Sequence, residues 1–284
     1  MNASGPNAEQ ITYWNQTAGP KWVALEEVLD AQIRGLGEAA MDGLGIGRGE
    51  RVLDLGCGTG QTSLELARRV GPNGHVTAVD ISAPMLGRAR DRARAAGATN
   101  VTFVPADVQT HRFEPGTADV AFSRFGIMFF ADPPAAFTNL HGALRPGGRL
   151  GFVCWQALPE NPWMAVPVMA AAQHITIPIP TSPDAPGPFA FANPDRVRAI
   201  LEQAGFVDVA FTDQRATLTV GGNGSLEQAV GFILQMGPAA ATIREATPEL
   251  RETVAAAVRE ALAPYHTPEG VRMSSASWVV TARR

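Results

Sequence analysis

The stretch Arg51-Val52-Leu53-Asp54-Leu55-Gly56-Cys57-Gly58-Thr59-Gly60 decides the fold of this chain. An apolar run that contains one acid is followed by three glycines at alternate positions, and a helical pattern begins at Gln61. Glycine is favoured where the backbone takes a positive φ or approaches a ligand closely. The order of these residues therefore predicts a buried strand, a tight turn that binds a ligand, and a helix.

The same succession of strand and helix recurs after this turn. Strands are predicted at residues 76–79, 101–104, 119–123, 149–155, 206–212 and 277–280. Helices are predicted at residues 61–70, 82–96, 132–144, 193–204, 225–235 and 247–262. Parallel strands need long crossover connections, which are usually helical and right-handed. The alternation therefore predicts an α/β fold with a Rossmann-like, seven-stranded, mostly parallel sheet and helices on both of its faces.

Segments with other patterns surround and interrupt this core. Residues 1–10 are small and polar, which predicts a loose arm, and apolar residues at helical spacing from Trp22 to Leu36 predict a helix. With Tyr13 and Trp14 before it, this helix either covers the glycine turn as a lid or is anchored on the core by its aromatic residues. The predicted order is an N-terminal helical lid (1–50), the core (51–155), a cap insertion (156–192), the continued core (193–220), a helical insertion (221–270) and the final core strand (271–284).

Polar side chains stand near the carboxyl ends of four predicted strands: Asp54, Asp80, Asp107 and Ser123. The carboxyl ends of parallel strands meet at one edge of a sheet, and ligands of open α/β sheets bind at that edge. We therefore expect these four side chains to converge on one binding site.

Four motifs together resemble those of class I S-adenosylmethionine-dependent methyltransferases: the Asp54 to Gly60 turn, Asp80, Ala106-Asp107, and Leu144-Arg145-Pro146-Gly147-Gly148. The resemblance covers roughly residues 50–155 by motif and 193–284 by element order. The start of the chain and the helical inserts are similar to the small-molecule branch of ubiquinone/menaquinone-biosynthesis methyltransferases. The resemblance implies S-adenosyl-L-methionine as cofactor, S-adenosyl-L-homocysteine as product and in-line methyl transfer to a small acceptor.

The resemblance also implies a role for the residues around the turn. The turn would cradle the methionine part of the cofactor, with Asp54 helping to hold its amino group. Asp80 would accept hydrogen bonds from two ribose hydroxyls, and Asp107 from the adenine amino group. The predicted cofactor-binding residues are Tyr13, Trp22, Asp54, Gly56, Cys57, Gly58, Gly60, Asp80, Ile81, Met85, Ala106, Asp107, Val108, Ser123 and Arg124.

The predicted acceptor pocket is apolar and aromatic, and it consists of Trp14, Phe125, Met128, Phe129, Trp155 and Trp163. Arg124 either faces solvent or binds an oxygen of the acceptor. The segment after the fourth strand lacks the Asn/Asp-Pro-Pro-aromatic motif of amide and nucleobase N-methyltransferases, and Asp132-Pro133 reads instead as a helix cap. Methylation at oxygen or carbon is therefore favoured over nitrogen. No catalytic residue is assigned, and His174 is the candidate for a base if the acceptor needs one.

Two other functions remain open from the sequence. A nicotinamide-dependent oxidoreductase would need G-x-G-x-x-G, which counted from Gly56 places the third glycine at residue 61, where the chain has Gln61. The acid after the third strand, Asp107, also favours the methyltransferase. An S-adenosylmethionine-binding protein without catalysis would share every cofactor motif.

Composition limits the other classes of function. The 284 residues are 45% apolar with a net charge of −4, which is unlike the basic footprint of a nucleic-acid-binding protein. The two cysteines and five histidines show no metal-ligand or disulfide spacing. No secretory signal or membrane span is apparent, so we expect a cytoplasmic protein without metal. A monomer and a homodimer are equally compatible with the sequence.

Overall fold

Three helices precede the first strand in the computed structural model, which describes residues 5–178, 182 and 185–284. They are α1 (Ala8–Gln16), α2 (Ala18–Ala24) and α3 (Glu26–Gly43). The predicted single helix from Trp22 to Leu36 is divided because Leu25 leaves helical geometry, with φ −111° and ψ 16°. The predicted loose arm is wrong from residue 7 onward, since Asn7 is buried. Residues 1–4 of the predicted lid, and 179–181, 183 and 184 of the predicted cap, lie outside the described residues.

The described strands form one sheet in the order β3-β2-β1-β4-β5-β8-β6. Their bounds are β1 (Arg51–Leu55), β2 (His75–Asp80), β3 (Val101–Pro105), β4 (Ala118–Arg124), β5 (Leu144–Trp155), β6 (Val207–Val220), β7 (His266–Thr267) and β8 (Gly270–Arg283). In this order, the neighbouring strands β3, β2, β1, β4 and β5 pair in parallel. Strand β8 runs antiparallel to both β5 and β6. The mostly parallel sheet is confirmed. The described sheet has eight strands instead of the predicted seven, because β7 forms a short hairpin with the start of β8.

Helices follow the strands as predicted, and further helices form a separate layer. The bounds are α4 (Gln61–Val70), α5 (Ala83–Ala95), α6 (Pro133–Ala143), α7 (Pro162–Ala172), α8 (Pro194–Gln203), α9 (Leu226–Met236), α10 (Ala240–Glu245) and α11 (Pro248–Leu262). The predicted caps at Asp132 and Asn193 are confirmed, since each side chain accepts from backbone N–H groups of the first helical turn. Ser82 stands at the N-cap position of α5 as predicted, but its hydroxyl makes no capping hydrogen bond and donates to the Trp14 carbonyl at 2.8 Å.

The described apolar side chains separate into two clusters. The first surrounds the sheet and includes Phe122, Phe137 and Phe152. The second lies among α7, α9 and α11. Helix α3 contributes to both, with Ile33 in the first cluster and Leu29 in the second. We call the boundary between the two clusters, marked by these two residues, the seam.

The turn after β1 lies where the strand order reverses, because β1 is flanked by β2 on one side and β4 on the other. Gly56 has φ 67°, and a Cβ at this position would lie 2.8 Å from the Cα atom of Gly126. The loops after β1 and β4 are therefore in backbone contact. Phe125 has φ 61°, which is uncommon for a large side chain. Residues with such strained backbone conformations cluster at functional sites.

Candidate active site

One cavity of about 1140 Å³ opens at the carboxyl ends of the central strands, beneath α1, α2 and α3. Twelve of the predicted cofactor-binding residues line it: Tyr13, Trp22, Gly56, Cys57, Gly58, Asp80, Ile81, Met85, Ala106, Asp107, Val108 and Arg124. All of the predicted acceptor-pocket residues line it as well, namely Trp14, Phe125, Met128, Phe129, Trp155 and Trp163. The structure therefore brings the two predicted sets of residues to one continuous space.

Three predicted cofactor-binding residues lie behind the cavity wall instead. Ser123 donates its hydroxyl to the Leu55 carbonyl at 2.7 Å, which ties β4 to the end of β1. Gly60 faces α5, where a Cβ would lie 2.9 Å from that of Ala89. Asp54 is 1% exposed. The prediction that these three residues line the site is corrected: they support the turn from behind.

Asp80 organises the wall of the cavity around the glycine turn. Its Oδ2 accepts from the Gly58 N–H and its Oδ1 from the Ser82 N–H, both at 2.8 Å. Burial raises the pKa of this carboxyl, although the backbone donors oppose the shift. Each carboxylate oxygen can accept more than one hydrogen bond, so Asp80 keeps acceptor capacity for a ligand.

Asp54 is a buried acid with only one of its oxygens paired. Its Oδ2 accepts from the hydroxyls of Thr62 at 2.8 Å and Ser63 at 2.6 Å. Its Oδ1 has no hydrogen-bond partner among the described residues. Burial raises the pKa of Asp54 to about 6 against these hydrogen bonds. The buried carboxyl therefore binds a proton more tightly in the folded chain than in the unfolded one.

Asp54→Asn is expected to remove part of the pH dependence of stability. An acid with a raised pKa stabilises the fold below the unfolded pKa, and that stabilisation is lost as the pH rises through the folded pKa. The rise of the Asp54 pKa from 3.8 to about 6 corresponds to a loss of about 3 kcal/mol in the free energy of unfolding of the wild type. Urea unfolding between about pH 4 and about pH 7 measures it. The wild-type curve should fall relative to that of Asp54→Asn, whereas the exposed control Asp91→Asn should follow the wild type. Parallel curves for wild type and Asp54→Asn would contradict the expectation.

Asp107 is bound by a residue that sequence analysis missed. The Asn7 amide donates to both Asp107 oxygens, at 2.9 and 2.8 Å, and its own oxygen accepts from the Ala131 N–H at 2.9 Å. Asn7 thus connects the start of α1 to the loops after β3 and β4. Its distance of 100 residues from Asp107 leaves no local pattern that could have revealed it.

Arg124 belongs to a buried charge network, so the predicted alternative of a solvent-facing side chain is wrong. Its side chain is 8% exposed, its guanidinium lies 3.6 Å from Asp30, and it donates to the Gln61 side chain. Burial lowers the pKa of Arg124, whereas Asp30 opposes this. Arg92 also pairs with Asp30, at 2.8 Å.

The same network extends along α5. Arg88 pairs with Glu26, so the face of α5 that carries Arg88 and Arg92 packs against α3. A smaller cleft of about 330 Å³ is lined by these paired charges. The network joins the N-terminal helices to α5 beside the glycine turn.

Aromatic rings form the opposite side of the large cavity. Phe125 stacks on Trp155 with 4.1 Å between ring centroids, and Trp163 lies 5.3 Å from Trp155. Trp14 makes edge contacts with Trp22 and Phe129. The rings come from α1, α2, α7 and the ends of β4 and β5, so they enclose an apolar space next to the glycine turn.

The candidate base His174 is not held in a fixed orientation by any described residue. His174 lines the cavity, but its side chain is exposed and no described group hydrogen-bonds to its ring. A general base must be held within hydrogen-bond reach of the proton that it removes. The role of His174 stays a prediction without structural support. The described residues also contain no cluster of His, Cys, Asp and Glu that could hold a metal ion.

The strand order and the position of the glycine turn define a Rossmann-like α/β fold with a cavity at the switch point of its sheet. Residues 52–148 match the family model described as a methyltransferase domain. The ubiquinone/menaquinone biosynthesis C-methyltransferase of Idiomarina loihiensis is 34% identical over 137 residues, which cover 48% of this chain and 55% of that protein. The chain spans about half the length of the curated relatives that it matches. The resemblance predicted from the motifs is confirmed over this part of the chain.

Solved structures share the fold over a larger part of the chain. A putative methyltransferase from Bacillus halodurans superposes with a TM-score of 0.56 at 18% identity, covering 87% of this chain and 97% of that one. Geranyl diphosphate C-methyltransferase from Streptomyces coelicolor, solved with S-adenosyl-L-homocysteine, gives 0.52 at 17% identity, covering 88% and 76%. At these identities the likeness shows a common fold. No helix in the described part of the chain is both long and apolar enough to cross a membrane.

Proposed function

We propose that this chain is an S-adenosylmethionine-dependent methyltransferase that methylates a small, largely apolar acceptor. The observation that carries the proposal is one cavity with two unlike walls. The glycine turn, Asp80 and Asp107 form one wall, and the aromatic side chains form the other. The first wall suits a polar nucleotide-like cofactor, and the second suits an apolar acceptor.

The residues of the first wall fit the cofactor. Gly58 has a φ of 56°, which favours glycine, and its lack of a side chain leaves the cavity wall beside Met85 open. Asp80 would hold the ribose hydroxyls, with Met85 and Ile81 packed on the adenine ring and Asp107 near its amino group. When bound, S-adenosylmethionine supplies a methyl group on a positively charged sulfur; the acceptor attacks the methyl carbon, and the sulfur is the leaving group. The product is S-adenosylhomocysteine.

The chain itself contributes positioning and the exclusion of water. The stacked rings of Phe125 and Trp155 would fix the plane of a flat acceptor, and the helices α1 to α3 cover the site. Correct orientation of two reactants can supply a large part of a rate enhancement. Because His174 is not held in a fixed orientation, we infer an acceptor that loses its proton readily or before transfer. Carbon as the methylated atom is supported by the curated relatives, which are named C-methyltransferases.

Calorimetry with S-adenosylmethionine and S-adenosylhomocysteine tests the cofactor. We expect both to bind the wild type, and absence of binding would refute the proposal. Transfer of a labelled methyl group to phenols, quinols and amines then separates an enzyme from a binding protein. NAD(P)H binding in place of the methyl donor would favour the nicotinamide alternative.

The proposal also includes the expected surroundings of the protein. A small-molecule acceptor is preferred to nucleic acid because the cavity is apolar and the net charge is −4. A cytoplasmic location is supported by Cys57 and Cys154, which are free, buried thiols.

A further inference from the structure

The charged side chains on the cavity lining are divided unequally between its parts. The acids among the described lining residues are Asp80 and Asp107, which belong to the wall at the strand ends. The lysine and arginine residues of the described lining are Lys21, Arg124 and Arg244. Arg124 belongs to the buried charge network, whereas Lys21 and Arg244 form no ion pair with a described residue. The cavity therefore contains two cations without a counter-charge, in a chain whose net charge is −4.

The first of these cations, Lys21, is the only lysine in the sequence. It lies in α2 next to Trp22, which packs against both apolar clusters and so places Lys21 beside the seam. The Lys21 ammonium donates to the Gln235 carbonyl of α9 at 3.3 Å, which holds it at the helical layer. An ammonium has three N–H donors, so Lys21 keeps donors for a ligand after this contact.

The second cation, Arg244, stands in α10 directly after Ile243, a buried residue of the second apolar cluster. Arg244 is exposed and makes no hydrogen bond with a described residue. Because it is both exposed and part of the lining, it lies where the cavity opens to solvent. Its planar guanidinium suits a carboxylate or a phosphate, with which it can form two parallel hydrogen bonds.

Lys21 and Arg244 are close enough to repel each other. Burial lowers the pKa of Lys21, and the positive charge of Arg244 lowers it further. No carboxylate among the described residues opposes this shift. Two like charges that meet at a cavity without an acid destabilise each other until an anion binds beside them. The chemical group that this pair would recognise is therefore an oxyanion.

We propose that Lys21 and Arg244 bind an anionic group of the methyl acceptor at the mouth of the cavity. The acceptor is then an amphipathic molecule, with an apolar body among the aromatic side chains and a carboxylate or phosphate at the two cations. This inference rests on the proposed function and names the chemical class of its substrate. Lys21 and Arg244 are specificity residues for that substrate.

The size of the cavity allows such an acceptor beside the cofactor. Its volume of about 1140 Å³ exceeds the roughly 300–1,000 Å³ of a usual pocket for one small ligand. The same lining reaches from the stacked rings of Phe125 and Trp155 to α10. An acceptor can therefore extend from the rings to the cations while the wall with Asp80 holds the cofactor.

The cofactor has a carboxylate of its own, but the positions of the cations favour the acceptor. The glycine turn, which would cradle the methionine part of the cofactor, contributes Cys57 to the first apolar cluster around the sheet. Lys21 contacts α9 instead, and Arg244 follows Ile243 of the second cluster. The two cations therefore belong to the helical layer, away from the strand ends.

Equilibrium dialysis with three probes that share one apolar chain tests the subsite. Octanoate and octyl phosphate carry an anion where 1-octanol carries a neutral hydroxyl, and the flexible chain lets the head group reach the cations. We expect the wild type to bind at least one anion more tightly than 1-octanol, and the tighter anion identifies the head group. Lys21→Gln and Arg244→Gln should each reduce this preference about threefold to fivefold. Arg94→Gln removes an exposed positive charge of α5 outside the cavity lining and should keep the wild-type preference.

Lys21 can also be observed directly, because it is the only lysine. Reductive methylation with ¹³C-formaldehyde labels its side chain and keeps its positive charge. The NMR signal of the labelled side chain should shift when the tighter anion binds and should stay in place with 1-octanol.

The outcomes separate this inference from the proposed function. Equal binding of the three probes by the wild type, or an unchanged preference in both variants, overturns the subsite. Weaker S-adenosylhomocysteine binding by Lys21→Gln with an unchanged probe preference would assign the cation to the cofactor, and it overturns the subsite as well. Absence of S-adenosylhomocysteine binding by the wild type overturns the proposed function instead, whereas a preference that depends on Lys21 and Arg244 would still establish an anion site. Circular dichroism checks the fold of each variant, and if Lys21→Gln does not fold, the preference of Arg244→Gln decides the matter.

Discussion

Replacing Asp80 with alanine is expected to weaken the binding of S-adenosylhomocysteine about a hundredfold or more. Hydrogen bonds to a charged acceptor contribute about 1.5–3 kcal/mol each, and two ribose hydroxyls would lose their acceptor together. The variant also loses the bonds from Gly58 N–H and Ser82 N–H, which hold the glycine turn against the start of α5. Calorimetry measures the affinity, and chemical unfolding measures the loss of stability separately.

Two further variants make the result specific. Asp80→Asn keeps the shape and one acceptor oxygen, but its amide places an N–H₂ group against a backbone N–H, so its affinity should fall between wild type and alanine. Asp91→Ala removes an acid from the exposed side of the neighbouring helix, where it pairs with Arg94, and should bind like the wild type. An affinity of folded Asp80→Ala within about twofold of the wild type would show that the carboxylate does not contact the ligand.

The parts of the fold that sequence analysis predicted depend on short stretches of chain. The turn from Gly56 to Gly60 is marked by glycine itself, since all three of its glycines have positive φ. The alternation of strands and helices leaves few topologies open, which is why the parallel core was predictable. Asp80 was predictable because its position at the end of β2 follows from the strand pattern alone.

The errors arise where distant parts of the chain meet. Arg124 is buried beside Asp30, which also pairs with Arg92, and no local sequence pattern indicates these partners. Asn7 looked like part of a polar arm because its partner, Asp107, is far along the sequence. Gln32 lies in a helix that the sequence indicates only through the spacing of its apolar residues. Its side chain accepts from the Gly221 N–H, 189 residues away, so no local pattern indicates that it is buried.

Contacts of the N-terminal helices support the proposal that residues 1–50 cover the site. The Asn15 side chain donates to the Ile81 carbonyl and accepts from the Ala83 N–H, both at 2.9 Å. Gly19 approaches so closely that a Cβ would lie 2.5 Å from the Ser82 hydroxyl oxygen. These contacts fall on the segment that follows Asp80. The cover and the proposed cofactor site therefore share the same backbone, so that ligand binding and the order of α1 should be coupled.

Gly126→Ala is expected to destabilise the protein by about 1–3 kcal/mol, because it forces apart two loops that meet at the cavity. The new Cβ would lie 2.8 Å from the Leu55 carbonyl oxygen and 2.9 Å from the Gly56 Cα. Both are backbone atoms, which cannot turn aside as a flexible side chain does. Gly126 has an ordinary helical φ of −79°, so the effect isolates close approach from backbone strain.

Gly87→Ala is the matched control, since it makes the same change where no atom lies within 4 Å of the new Cβ. Gly87 lies inside α5, and alanine there should stabilise the protein by about 0.5–1 kcal/mol. Urea unfolding of both variants gives the two free energies. The changes in unfolding free energy of the two variants should have opposite signs. Gly126→Ala should also weaken the binding of S-adenosylhomocysteine, because Gly56 shifts with its neighbour Gly126. A Gly126→Ala variant as stable as the wild type would mean that the loops after β1 and β4 do not pack backbone to backbone, and the narrow cleft that we assign to the cofactor would lose its basis.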